Sequence, residues 1–150
     1  KTAVTSDAIE GDGKWHHIAA TWNASEDELK LYLDGTLKAT TTGLGTWSGT
    51  LSDAAVGQNL TDGGFYKGYI SNVAVFNRTI TAADVLYIQN RSAADDAKFY
   101  PMDISNMANL VGYYRFEAGS GTTAFDSSGN GKDGTLVNTP TWNNTTPTKN

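Results

Sequence analysis

Six residues, Asp126-Ser127-Ser128-Gly129-Asn130-Gly131, interleave short oxygen-bearing side chains with glycine. A hard cation needs such a loop, because carboxylate and carbonyl oxygens must converge on it at about 2.4 Å. Aspartate, serine, asparagine and glycine even fall in the order that opens an EF-hand. The place of the closing bidentate glutamate is taken by Val137, and the flanks read as strands, so an EF-hand is excluded. Two readings stay open. One is a structural calcium ion held by Asp126, Ser128 and Asn130. The other is a polar Asx-type turn whose side chains bond their own backbone.

His16-His17 invites a metal or catalytic role. Adjacent residues of a strand point to opposite faces, so the pair does not converge on one ion. Packing of Trp15-His16-His17 with a buried hydrogen bond is the expectation. Glycan hydrolysis needs two carboxyls on one sheet face, about 5 Å or about 6.5–9.5 Å apart. The acids here fall in turns (Asp12, Asp34, Asp53, Asp62), around a helical segment (Asp84, Asp95, Asp96), in one loop (Glu26, Glu28) or after a strand (Glu117). None forms a recognisable acid–nucleophile pair, and there is no Gly-x-Ser-x-Gly, phosphate loop or zinc spacing. A protein that is not an enzyme is expected.

Aromatic rings are the remaining lead. Trp22, Trp47, Phe65, Tyr66 and Trp142 fall in or beside loops, where a ring offers an apolar plate to a sugar face. Trp47 in GLGTWSGT and Phe65-Tyr66 in LTDGGFYKG are the candidate ligand-binding residues. The competing reading has these rings closing the ends of a core.

The 150 residues suffice for one domain, which at that size buries roughly 70% of its unfolded surface. With a net charge of −5 and basic residues scattered rather than clustered, nucleic acid is not an expected partner. Cysteine is absent, which excludes disulfides, thiolate metal sites and cysteine nucleophiles together. No apolar run approaches the ~20 residues that span a bilayer, and no secretory signal opens the chain as given, which leaves room for a processed or truncated product. Asn-x-Ser/Thr occurs at Asn23, Asn59, Asn77, Asn90, Asn143 and Asn144, as glycan acceptors or by chance in an Asn/Thr-rich chain.

These residues need strands to position them, and periodicity supplies strands. KWHHIAATW (14–22) carries β-branched and aromatic residues on both faces, as in a strand covered on both sides. In ELKLYLDGTLKAT (28–40) three leucines alternate with Lys30 and Tyr32 ahead of Asp34-Gly35, the signature of a type I′ hairpin. A short strand is predicted at 54–58 and a longer one at 65–77, with Ile70, Asn72, Ala74 and Phe76 on one face. TITAADVLYIQN predicts a helix capped by Thr81 with Asp84 three residues on, burying Val85, Ile88 and Leu86. Residues 91–109 lose alternation and read as a connector. Strand 110–116 follows, with Leu110, Gly112, Tyr114 and Phe116 on one face, then a strand at 134–138. Many short strands and one brief helix predict an all-β class, an antiparallel two-sheet sandwich.

Four blocks together resemble the laminin-G-like branch of the concanavalin A-like lectin/glucanase jelly rolls. DGKWHHIAATWN resembles a central strand of that family, LKLYLDGTLKAT its Tyr-x-Asp-Gly hairpin, and GYISNVAVFNRTITAADVLYIQN its closing strand and helix. LVGYYRFEAGSGTTAFDSSGNGKDGTLVN resembles its first strands and the loop after them. The order is permuted, because the opening block comes last. Residues 1–92 thus read as the back half of one jelly roll, 93–109 as a connector, and 110–150 as front-strand material. That material either starts a next module in a tandem array or folds back to complete the first. A jelly roll short of strands exposes sheet edges, so strand 110–116 is expected to complete a sheet of its own chain or of a neighbouring copy by strand addition.

The resemblance implies that Asp126, Ser128 and Asn130 share a structural calcium with a residue of the closing strand. Ser71-Asn72 stand at that place, without a carboxylate, so Asn72 joins the candidate ligands. It also implies a non-catalytic binding or adhesion module, extracellular or on a cell or virion surface, recognising glycan or protein through its loops. The alternative is a structural subunit of a virion, fibre or filament assembled by strand sharing.

Overall fold

The computed structural model describes residues 12–45, 54–59, 63–94 and 109–143. Trp47 lies outside them, as does most of the predicted connector.

β1 (Ile18–Asn23), β2 (Glu28–Leu33) and β3 (Thr36–Thr42) form one antiparallel sheet in that order. Ile18 faces Leu33, Ala20 faces Leu31 and Trp22 faces Leu29, so these six side chains share one apolar face. Ala19, Thr21, Lys30 and Tyr32 share the other. The Asp-Gly hairpin is present, with φ of 49° at Asp34 and 75° at Gly35, the two left-handed residues that the tight turn requires. The expectation that β1 is covered on both faces fails: Ile18 is 57% and Trp22 41% exposed, while Thr21 on the opposite face is buried.

β4 (Val73–Phe76) pairs antiparallel with β5 (Leu110–Tyr114), and β6 (Thr123–Ala124) with β7 (Gly134–Thr135). The late Tyr-Tyr segment therefore does sit in a ladder, against a strand of its own chain. β4 is shorter than the predicted 65–77 because Asn72 turns left-handed, φ 55°, and interrupts the extended chain. Phe116, φ 59°, lies beyond the end of β5 at Tyr114 for the same reason. The predicted strand at 54–58 reduces to a single bridge between Gln58 and Phe65, and 134–138 to β7.

α1 (Ala82–Ala94) starts where the capping signal places it and runs on into the residues read as a connector. Thr81 Oγ1 accepts the Asp84 N–H at 3.1 Å, and Asp84 Oδ2 accepts the Thr81 N–H at 2.8 Å. This reciprocal box contributes about 1 kcal/mol to such a helix. Desolvation pushes the Asp84 carboxyl up, but hydrogen bonds from Arg78 and Thr81 outweigh it and hold it below the usual carboxylate range. It therefore stays charged at the positive end of the helix dipole.

One buried cluster, Tyr32, Ile80, Val85, Ile88, Leu110 and Tyr113, joins β2, α1 and β5, with Ala19, Ala74 and Phe76 packed against it. Val85 and Ile88 form the helix stripe as predicted; Leu86 does not, being 49% exposed. At about 100° per residue it stands off the 85/88 line. In β5 the simple alternation fails. Phe76 pairs with Leu110 and Val75 with Gly112, so Val111 is an extra residue, a bulge. Past it, Leu110 and Tyr113 stand opposite Phe76 and Ala74, which share a face, and both enter the core. Tyr114, expected inside, stacks instead on Phe116 with ring centroids 6.3 Å apart. The chain is thus mostly strands in antiparallel sheets, with one short helix among the described residues.

Candidate ligand-binding cleft

β2 occupies one edge of β1, and the other edge borders a cleft. The Asp34 N–H donates to the His17 carbonyl at 2.8 Å. Ladder bonds alternate along an antiparallel strand, so the backbone groups of Ile18, Ala20 and Trp22 point away from β2. The cleft holds about 1560 Å³ and is lined by all of β1, all of β4 and the loop before β4.

Trp15, Trp22, Tyr66 and Tyr69 stand in its wall, and Phe76, packed against the core, is at its β4 side. Tyr66 is 60% and Tyr69 62% exposed. The Trp15 ring tilts against Tyr69 at 6.3 Å and 37°. Tyr66 lies over Gly68, where an added Cβ would stand 2.7 Å from its hydroxyl oxygen, so the bare glycine backbone is the seat of that ring. Phe65 is 59% exposed beside the wall rather than in it. The predicted pair Phe65-Tyr66 is therefore on the surface, with Tyr66 in the cleft. Trp15 and Tyr69 were not singled out as ligand residues. Trp15 read as packing and Tyr69 as the back of a long strand, and with that strand shortened Tyr69 falls in a loop. Trp142 is not among the cleft-lining residues; its Nε1–H donates to the Gly121 carbonyl at 2.8 Å.

The two histidines part as alternation requires. His16 Nδ1 lies 2.7 Å from Asp34 Oδ2 and its Nε2 lies 2.9 Å from Asp12 Oδ2. Its hydrogen bonds to the carboxylates of Asp34 and then Asp12 hold its pKa above the usual histidine value. His17 turns inward, burial pushes its pKa down, and its Nδ1 is buried with no hydrogen-bond partner among the described residues. The expected hydrogen bond thus belongs to His16, at the rim, and not to a buried ring.

The Asp126 loop is sewn to β5. Asp126 Oδ1 accepts the N–H of Tyr113 and of Ser128, each at 2.9 Å, and Oδ2 accepts that of Lys132 at 3.0 Å. Asn130 Nδ2 donates to the Leu110 and Val111 carbonyls at 2.8 and 3.2 Å, covering the backbone acceptors at the bulge, and to Ser128 Oγ at 3.0 Å. Asn72 Oδ1 accepts the Tyr113 hydroxyl at 2.8 Å. Desolvation raises the Asp126 pKa, but the Ser128 hydroxyl and the N–H groups of Tyr113, Lys132 and Ser128 outweigh it and hold it far below the carboxylate range. An ionised carboxylate has about four acceptor positions, and these four donors fill them. Among the described residues no three His, Asp or Glu side chains gather to hold a metal. Asp126, Ser128, Asn130 and Asn72 thus bond to the backbone and to Tyr113 in the manner of a polar turn; a calcium ion at this loop is a matter for titration.

These features define a mostly β domain with an aromatic cleft lined by β1, β4 and the loop before β4. The chain belongs to the concanavalin A-like lectin/glucanases superfamily, whose laminin-G-type profile matches residues 1–86. The match ends within α1 and takes in β1 to β4 but not β5 to β7. No curated protein and no solved structure matches the chain. The superfamily's name spans lectins and glucanases, and fold alone does not choose between them. Among the described residues no helix is long and apolar enough to cross a membrane.

Proposed function

We propose that this chain is a non-catalytic binding module of an extracellular or surface-exposed protein, and that it recognises glycan by stacking in the aromatic cleft. It is read as a two-sheet jelly-roll sandwich in which residues 110–150 supply front-strand material to the back half formed by 1–92. The observation that carries the reading is the cleft wall, where Tyr66 and Tyr69 stay more than half exposed beside Trp15. Exposed rings grouped along one concavity, with Gln58, Asn59 and Lys67 between them, offer plates for sugar faces and polar groups for hydroxyls.

A glycan array followed by fluorescence titration of any hit tests this. Specific hits are expected, and Tyr66→Ala and Tyr69→Ala should each weaken them roughly tenfold to a hundredfold, the worth of burying one such ring. An array without hits, or variants that bind like the parent chain, would sink the reading.

One observation favours the structural alternative, a subunit assembled by strand sharing. β1 (IAATWN) carries no charge and no proline, the devices that usually block edge-to-edge pairing. Its edge away from β2 pairs with no other strand among the described residues, the Trp22 carbonyl there accepting the Thr79 hydroxyl at 2.7 Å. Light scattering over a range of concentrations separates the two: growing polymers support assembly, and a constant monomer mass removes it.

A further inference from the structure

The rim of the cleft is pinned by an arrangement that a neutral histidine does not satisfy. Both ring nitrogens of His16 face carboxylate oxygens at hydrogen-bond distance, Asp34 Oδ2 at 2.7 Å and Asp12 Oδ2 at 2.9 Å. An ionised carboxylate only accepts, and a neutral imidazole has one N–H and one lone pair. In either neutral tautomer a lone pair is therefore driven against an anion. The imidazolium, with two N–H donors, satisfies both ends.

We propose that His16 is a proton-operated latch on the cleft: as an imidazolium it holds Asp12 to Asp34 and fixes the Trp15 wall, and on losing its proton it lets residues 12–16 swing away. This names the regulation of the site described above and rests on that reading of the cleft.

The two anchor points explain why the latch reaches Trp15. Asp34 is part of the β2–β3 turn and is rigidly held. Its Oδ1 accepts the His17 N–H at 2.9 Å, and its own N–H donates to the His17 carbonyl at 2.8 Å. Asp12 closes a local turn, its Oδ1 accepting the Lys14 N–H at 2.9 Å. Trp15 lies between the two turns, and its ring contact with Tyr69 forms part of the cleft wall. Release of Asp12 leaves that segment fixed through Asp34 alone.

Among the described residues the groups facing the latch are few. On its own segment they are Asp12, with Lys14 beside it, and from the hairpin turn Asp34, with His17 alongside. The Lys14 N–H and then His16 hold the Asp12 carboxyl below its usual range, so Asp12 is not the proton carrier. Burial pushes the His17 pKa down, which favours its neutral form. His16, which its two carboxylate partners raise above the usual histidine value, is the group whose charge the clamp depends on. The sign follows: the clamp's contribution is complete below the ordinary histidine pKa and disappears as pH rises through the folded one.

Lys14 supplies a readout that needs no glycan, because it places a trypsin site inside the latched segment. The rate of cleavage after Lys14, normalised to cleavage of the unfolded chain at each pH, is followed from about pH 6 to about pH 9, across the histidine range. The parent chain should become roughly tenfold more susceptible, the lower end of what one charge-assisted hydrogen bond supplies. The midpoint should match the His16 titration seen by NMR. Asp12→Asn and His16→Gln should be susceptible throughout, with Asp12→Asn leaving the hairpin side untouched in case His16→Gln folds poorly. A flat profile in the parent chain, or a His16 midpoint at or below the ordinary value, overturns the latch. An array without hits overturns the glycan reading and leaves this result standing, so the two failures are distinguishable.

Discussion

A chain truncated after residue 108 is expected to lose cooperative folding and to aggregate. Removing β5 takes Leu110 and Tyr113, 6% and 3% exposed, out of the cluster that holds Tyr32, Val85 and Ile88. It also leaves β4 without the strand it pairs with. An unpaired edge and an opened apolar core are the two conditions that favour association with other chains. Single substitutions grade the effect. Tyr113→Ala removes a buried ring and should cost about 3–5 kcal/mol, a large share of the roughly 5–15 kcal/mol that stabilises a domain. Tyr113→Phe keeps the ring and loses the bond to Asn72, at about 1 kcal/mol. Denaturant unfolding and light scattering check both. If the truncated protein stays monomeric, soluble and as stable as the parent, β5 completes nothing.

The second large effect is expected at Asp126. Asp126→Ala leaves the N–H groups of Tyr113, Ser128 and Lys132 without their acceptor, and the Tyr113 N–H is only partly open to water. The expected loss is about 2–3 kcal/mol, as for a hydrogen-bonded charge. Asp126→Asn keeps one oxygen and should lose less. Because the folded pKa is depressed, this stabilisation is present above the ordinary carboxylate value near 3.9 and is lost as pH falls toward the folded one. The parent chain should therefore show a steeper acid-unfolding slope than Asp126→Ala below about pH 4. Calcium is the rival explanation of the loop. If the side chains serve the backbone, millimolar calcium leaves the melting midpoint unchanged in the parent chain; a rise that Asp126→Ala abolishes favours the ion.

The elements most legible in the sequence are those whose determinants are local. Asp34-Gly35 specifies its turn because few other residues accept two successive left-handed conformations, and the structure has both. Thr81 and Asp84 specify the start of α1 because the box closes within four residues. The blocks that resembled the laminin-G-like family were equally local, and the profile match over residues 1–86, which takes in the first two and most of the third, bears out that membership.

What failed was what depends on a partner strand. Alternation put Tyr114 and Phe116 inside, but the bulge at Val111, which exists only against β4, handed the core to Tyr113. Asn72 gave no sign of turning left-handed, and that turn shortened β4 and left Tyr69 facing the cleft. His16 and His17 were correctly separated by strand geometry. That Asp12 and Asp34 would close on His16 from both sides was not visible, because Asp34 lies 18 positions away in the chain.

The sequence by itself determined the β class, the hairpin, the helix start and the family, all consequences of backbone preference over a few consecutive residues. Tertiary structure decided which tyrosine is core, which rings line the cleft, and how Asp126 and His16 spend their hydrogen bonds. Those outcomes depend on registers between distant strands, where a shift of one residue reverses every side chain.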